Sequence, residues 1–248
     1  MIYRIIVFLV CLLITGCAAA QPTAPATLLP SPTVTPAIPS TSAPLPTQAL
    51  TPTPAALPAG RKIIFEESGD SKLSGTLYGE GETAIILANM SVGGEQQWDP
   101  FVAAVDEQKF TTVTFNYRDI DDAGQDIDLV LGWLKEAGFA RVICIGASLG
   151  TRACNDLARE PEIAGIVLIA GSVHHASMAE ATYPKLFISG GLDVWAFEIE
   201  MGYEQAAEPK ELVLFEDNRA HGTDLFTSKD SEAFLNVLID FVNGLASP

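Results

Sequence analysis

The 248-residue chain is poor in the groups that hold metals or polyanions. It has three histidines and four cysteines, with no Cys-x-x-Cys pair and no His/Cys cluster at zinc-ligand spacing. A structural metal is therefore not indicated, and no cofactor is expected. Basic residues are scarce too: 14 Lys and Arg stand against 31 Asp and Glu, a net charge of −17. Every acidic residue lies beyond Gly60, so the remainder is more acidic than the whole. Such a surface repels nucleic acid and anionic headgroups and favours solubility. The apolar run from Ile5 to Ile14 is too short to span a bilayer comfortably. Between Ala18 and Ala59 there is no charged residue at all.

These shortages divide the chain. Residues 1–16 carry one basic residue, Arg4, ahead of that apolar run, as a secretory signal does. The sequence Ile14-Thr15-Gly16-Cys17 resembles the lipobox of bacterial lipoproteins. The resemblance implies lipidation at Cys17 and an outward-facing protein anchored to a bacterial membrane. Residues 17–59 are dominated by Pro, Thr, Ser and Ala. Proline removes backbone donors and favours extended segments, so this stretch reads as a semi-rigid tether. Cys11 leaves with the signal, and Cys144 and Cys154 fall on a central strand and the helix after it. Two buried free thiols are expected there.

Residues 60–248 alternate short β-branched runs with amphipathic segments, the pattern of an α/β domain with a largely parallel sheet. Two strands, RKIIFEE and KLSGTLYG, open it as an antiparallel hairpin. TAIILA follows, then a helix PFVAAVDEQ with Asp99 as its cap and Pro100 at its first position. The strand TTVTFNY precedes a helix over residues 122–137, where Ile127, Val130, Leu131 and Leu134 share one face. RVICIG, AGIVLIAG, KLFIS and ELVLFE complete eight strands, with a last helix over residues 231–245.

Chemistry centres on Gly146-Ala147-Ser148-Leu149-Gly150, between the strand RVICIG and the helix TRACNDLARE. A serine in so tight a turn needs small neighbours, and the helix that begins there aims free N–H groups at the same spot. A serine hydroxyl also needs a base and a group that orients the base. Asp193 follows the seventh strand and His221 the eighth, and loops after successive parallel strands emerge on one edge of the sheet.

ICIGASLGTRA, KLFISGGLD and AHG together resemble the nucleophile elbow, acid-bearing strand end and histidine loop of the α/β-hydrolases. The resemblance covers residues 60–248. It implies an eight-stranded, mostly parallel sheet with helices on both faces. Ser148 would be the nucleophile, His221 the general base and acid, and Asp193 the residue orienting His221. The N–H of Leu149 would be one oxyanion donor. The second would come from Met90 or Ser91, where Asn89-Met90 stands in place of the family's usual His-Gly. Only about 15 residues separate the sixth and seventh strands, so no cap domain is expected and the site should be open. The implied activity is serine-type hydrolysis of small acyl substrates, carboxylesters first, with thioesters or short peptides as further substrates. A non-catalytic binding or scaffold lipoprotein on the same fold is the alternative reading. His174 and His175 are adjacent, so their side chains diverge, with no carboxylate nearby in sequence, and Asp119, Asp121 and Asp122 read as a solvated turn and helix N-terminus; neither group reads as a metal site. Trp98 reads as packing.

Overall fold

The computed structural model describes residues 56–68 and 71–246. Cys17, residues 1–16 and the proposed tether up to residue 55 lie outside the described residues. Among the described residues eight strands form one sheet: β1 (Arg61–Ser68), β2 (Ser71–Tyr78), β3 (Thr83–Ala88), β4 (Phe110–Phe115), β5 (Val142–Ala147), β6 (Ile163–Ile169), β7 (Lys185–Gly190) and β8 (Lys210–Phe215). Their order is β1-β2-β4-β3-β5-β6-β7-β8. The β1/β2 and β2/β4 pairs are antiparallel and the rest are parallel.

The central strands are apolar on both faces because both faces are covered. On β5, Val142 and Cys144 point into one core, while Ile143, Ile145 and Ala147 point into the other. The same alternation divides β3, β6 and β7, as the two-residue side-chain period of a strand requires. The first core is roofed by α2 (Ala123–Glu136), α3 (Leu149–Asp156), α4 (His175–Glu180) and α5 (Ala196–Gln205). The second lies under α1 (Asp99–Val102) and α6 (Ser231–Gly244). The spacing of Ile127, Val130, Leu131 and Leu134 turns one face of α2 inward, and all four are buried. Each fully buried side chain of this size contributes about 1.5–3 kcal/mol relative to exposure. Trp98 is wholly buried and meets Phe226 edge to face at 6.0 Å.

Two expectations are corrected. The helix sought over PFVAAVDEQ is only four residues long, Asp99–Val102, preceded by a 3-10 turn over Glu95–Trp98, so Asp99 lies inside the helix rather than at its cap. It stops early because Asp106 favours a turn: its carboxylate accepts the Gln108 N–H, and its carbonyl accepts those of Lys109 and Phe110. The second correction concerns Cys144 and Cys154, which form a disulfide rather than two free thiols. Cys144 on β5 faces α3, and the ten-residue separation brings Cys154 back over it, with Cα atoms 5.8 Å apart. Among the described residues no helix is long and apolar enough to cross a membrane.

The disulfide closes a short loop, which restricts the unfolded chain by about 2–3 kcal/mol. The double variant Cys144→Ala/Cys154→Ala should lose stability of that order in urea denaturation. Intact mass should place the native chain two hydrogens below its reduced form.

Candidate active site

Ser148 stands between the end of β5 and the first turn of α3, with φ 54° and ψ −109°. A non-glycine residue with this backbone stores on the order of 1–3 kcal/mol, and persists only where its surroundings hold it. They do so from both sides. The Ser148 N–H donates to the Ile169 carbonyl at the end of β6 (2.9 Å), and its own carbonyl accepts the Thr151 N–H (3.1 Å). The Thr151 hydroxyl lies 3.1 Å from the Gly146 carbonyl and 2.9 Å from that of Ile169. Glycine is required at both flanks. A Cβ on Gly146 would strike the Gly150 carbonyl, and one on Gly150 would strike the carbonyl of Ala88 at the end of β3.

The loops after β7 and β8 bring the partners. His221 Nε2 is 2.9 Å from Ser148 Oγ, and His221 Nδ1 is 2.8 Å from Asp193 Oδ2. With the proton on Nδ1, the imidazole donates to Asp193 and accepts from the serine hydroxyl. The Asp193 side chain is 2% exposed, and its second oxygen accepts the Trp195 N–H at 3.0 Å. The Asp193 hydrogen bond raises the His221 pKa above its ordinary value, against the opposing effect of partial burial, and the charges of Asp193 and Asp224 add to the rise.

Asn218, which the sequence reading did not single out, organises both loops. Its carbonyl accepts the Leu192 N–H (2.9 Å), joining the loop of Asp193 to that of His221. Its side chain accepts the Ala220 N–H and donates to Ser228 Oγ and Asp230 Oδ2. The available signal was local: an Asn two residues before Ala220, where an Asx turn forms. Thr151 gave no signal beyond its place on the helix.

Leu149 opens α3, so its N–H has no intrahelical partner. Met90 and Ser91 follow β3 directly beside β5; Met90 is buried against Gly222, while Ser91 is exposed. Among the described residues no backbone carbonyl accepts from the N–H of Met90, Ser91 or Leu149. Asn89 is buried and donates to the Phe115 carbonyl, tying the end of β3 to β4. His174 pairs with Ser177 (2.7 Å) and His175 with Glu198 (3.3 Å), so the two imidazoles serve different partners. Asp119 accepts the Asp121 N–H, and Asp122 precedes α2 as its cap residue. Among the described residues no group of three His, Cys, Asp or Glu side chains is arranged to hold a metal.

No family model and no curated protein matches the chain. Solved structures do. An esterase of Pyrococcus furiosus is similar at a TM-score of 0.62 and 14% identity, covering 75% of this chain and 93% of that one. A monoacylglycerol lipase of Paleococcus ferrophilus reaches 0.62 at 10% identity, covering 71% and 100%. An esterase from Thermogutta terrifontis reaches 0.59 at 11% identity, covering 76% and 100%. The chain has the α/β-hydrolase fold. In this α/β-hydrolase fold only 15 residues, 170–184, separate β6 from β7, and they hold the short α4 rather than a cap domain.

Because the His221 pKa is raised, its pairing with Asp193 stabilises the folded chain fully below the ordinary imidazole value. That contribution is lost as pH rises through the higher folded value. NMR titration should place the His221 midpoint above about 6.5, and Asp193→Asn should lower it.

Proposed function

We propose that the protein is an extracytoplasmic, membrane-anchored serine hydrolase that cleaves carboxylesters through Ser148, His221 and Asp193. The observation that carries this reading is one imidazole bridging a serine hydroxyl at 2.9 Å and a buried carboxylate at 2.8 Å, at a strained turn where a helix begins.

In this mechanism Ser148 Oγ attacks the ester carbonyl carbon as its proton passes to His221 Nε2. Negative charge gathers on the carbonyl oxygen, and the Leu149 N–H, with that of Ser91 or Met90, stabilises it. Collapse breaks the bond to the alcohol oxygen, which leaves with the proton from Nε2, and an acyl-serine remains. Water then attacks the acyl carbon and gives a proton to Nε2. The Ser148 oxygen recovers that proton as the carboxylic acid departs. Asp193 keeps the imidazole in the tautomer and orientation both steps need, and it stabilises the imidazolium between them.

Three structural neighbours named as esterases or a lipase support the choice of esters. A serine at the elbow disfavours dehalogenation, which needs a carboxylate there. Thioesters and short peptides share the same acyl chemistry. The Cys144–Cys154 disulfide supports an oxidising compartment, in keeping with export and lipidation at Cys17.

A fluorophosphonate probe should label the folded wild type and leave Ser148→Ala unlabelled. That variant should lose at least about 10³-fold in kcat on p-nitrophenyl acetate. Absence of labelling on folded wild type would overturn the enzyme reading in favour of a binding protein. In a bacterial host, metabolic labelling with radioactive palmitate should mark the wild type and disappear in Cys17→Ser.

A further inference from the structure

Eight large hydrophobic side chains are well exposed among the described residues, and their positions are not scattered. Five of them, Val92, Ile120, Leu192, Val194 and Trp195, sit on the loops that follow β3, β4 and β7, and the sixth, Phe197, lies in the first turn of α5 directly after the β7 loop. These loops leave the same edge of the sheet as Ser148. Single exposed apolar residues are ordinary, but a group gathered on one edge marks a contact surface.

The strand order sets the layout. β3 adjoins the nucleophile strand β5, while β4 and β7 each stand two strands from it, on opposite sides. At about 4.8 Å per strand, β4 and β7, from which the loops of Ile120 and Val194 leave, stand roughly 10 Å to either side of β5. Anything approaching Ser148 Oγ comes in between two apolar flanks.

Both flanks are held outward. Asp193 accepts the Trp195 N–H through its side chain and that of Ala196 through its carbonyl, which fixes the segment bearing Val194 and Phe197. Arg118 pairs with Asp126 at 2.6 Å and Glu66 at 2.7 Å, anchoring the loop of Ile120. The Val92 carbonyl accepts from Gln97 Nε2 at 2.6 Å.

The geometry points to a docking face for the surface of a neutral or zwitterionic lipid aggregate, from which Ser148 draws its ester; this rests on the reading of Ser148 as the nucleophile. A pocket for one dissolved acyl chain would turn its apolar side chains inward and enclose most of the ligand. Here Val194 is 89% exposed, Val92 71% and Phe197 69%, and the loops that lead to them leave strands on opposite sides of β5. No cap domain lies between β6 and β7 to shield them. A layer of acyl chains meets such a surface; a single chain does not span it.

Charge selects the kind of layer. The chain carries a net −17; the exposed carboxylates Asp119 and Asp121 lie on the β4 loop, Glu200 on α5 after the β7 loop, and Asp224 in the 3-10 turn after the β8 loop. They repel anionic headgroups over the roughly 8 Å that physiological salt leaves unscreened.

The test uses the full chain, wild type and Val194→Ser/Phe197→Ser, so that any anchor contributes equally to both. A long-chain p-nitrophenyl ester carried in phosphatidylcholine vesicles is compared with dissolved p-nitrophenyl acetate. The ratio of the two turnover rates should fall about tenfold in the variant, with circular dichroism and Tm confirming its fold. Brominated phosphatidylcholine vesicles should quench part of the wild-type tryptophan fluorescence, and that part should vanish in Trp195→Phe. Phosphatidylglycerol vesicles should quench less at low salt, with the gap closing as salt rises.

An unchanged ratio together with no quenching overturns the docking face, while acetate turnover keeps the nucleophile reading alive. An equal loss on the same long-chain ester below its aggregation limit overturns the surface in favour of a single-chain site. Quenching without any turnover or probe labelling upholds lipid contact and removes the hydrolase reading beneath it.

Discussion

The first turn of α3 lies against the end of β3, and the site hangs on that contact. Gly150 has no side chain, so the carbonyl of Ala88 approaches where a Cβ would stand. This closeness lets α3 begin immediately after β5 instead of after a longer loop. Ser148 is left at the junction with a backbone it would not adopt alone. The same approach brings the loop after β3, with Met90 and Ser91, beside the free N–H of Leu149. Two glycines thus set both the position of Ser148 and the approach of the β3 loop to it.

Around that junction the sheet acts as a rigid frame. Ser148 is bound through its N–H to β6, and Thr151 ties the helix to both β5 and β6. Cys144 and Cys154 join β5 to α3 on the buried side. The partner side chains ride on longer loops and need their own support, which Asn218 gives by bonding to both. Order is thus strongest where the backbone is strained, and the loops are held by polar contacts that bear directly on the Asp193–His221 distance.

The open rim follows from the same economy of chain. With a short β6–β7 connection, little of the molecule is left to cover the edge where the loops converge. Exposed apolar side chains stand there beside a net-acidic surface.

Much of this was legible in the residues. Polar alternation located β1 and β2, and short apolar β-branched runs located the other strands, since a strand covered on both faces is apolar throughout. Gly146, Ser148 and Gly150 announced a tight turn because few other residues fit one. The early end of α1 was hidden because Asp106 competes for backbone donors only once a turn has formed. The Cys144–Cys154 disulfide was hidden because sequence separation does not report the angle between a strand and the helix packed on it. Local composition and period thus determined which segments become strands and helices, and which side chains face the core. The tertiary structure alone decided that Asp193, His221 and Ser148 meet, and that six apolar side chains share one edge. Those distances depend on strand order and on hydrogen bonds between loops far apart in the chain, which no local pattern encodes.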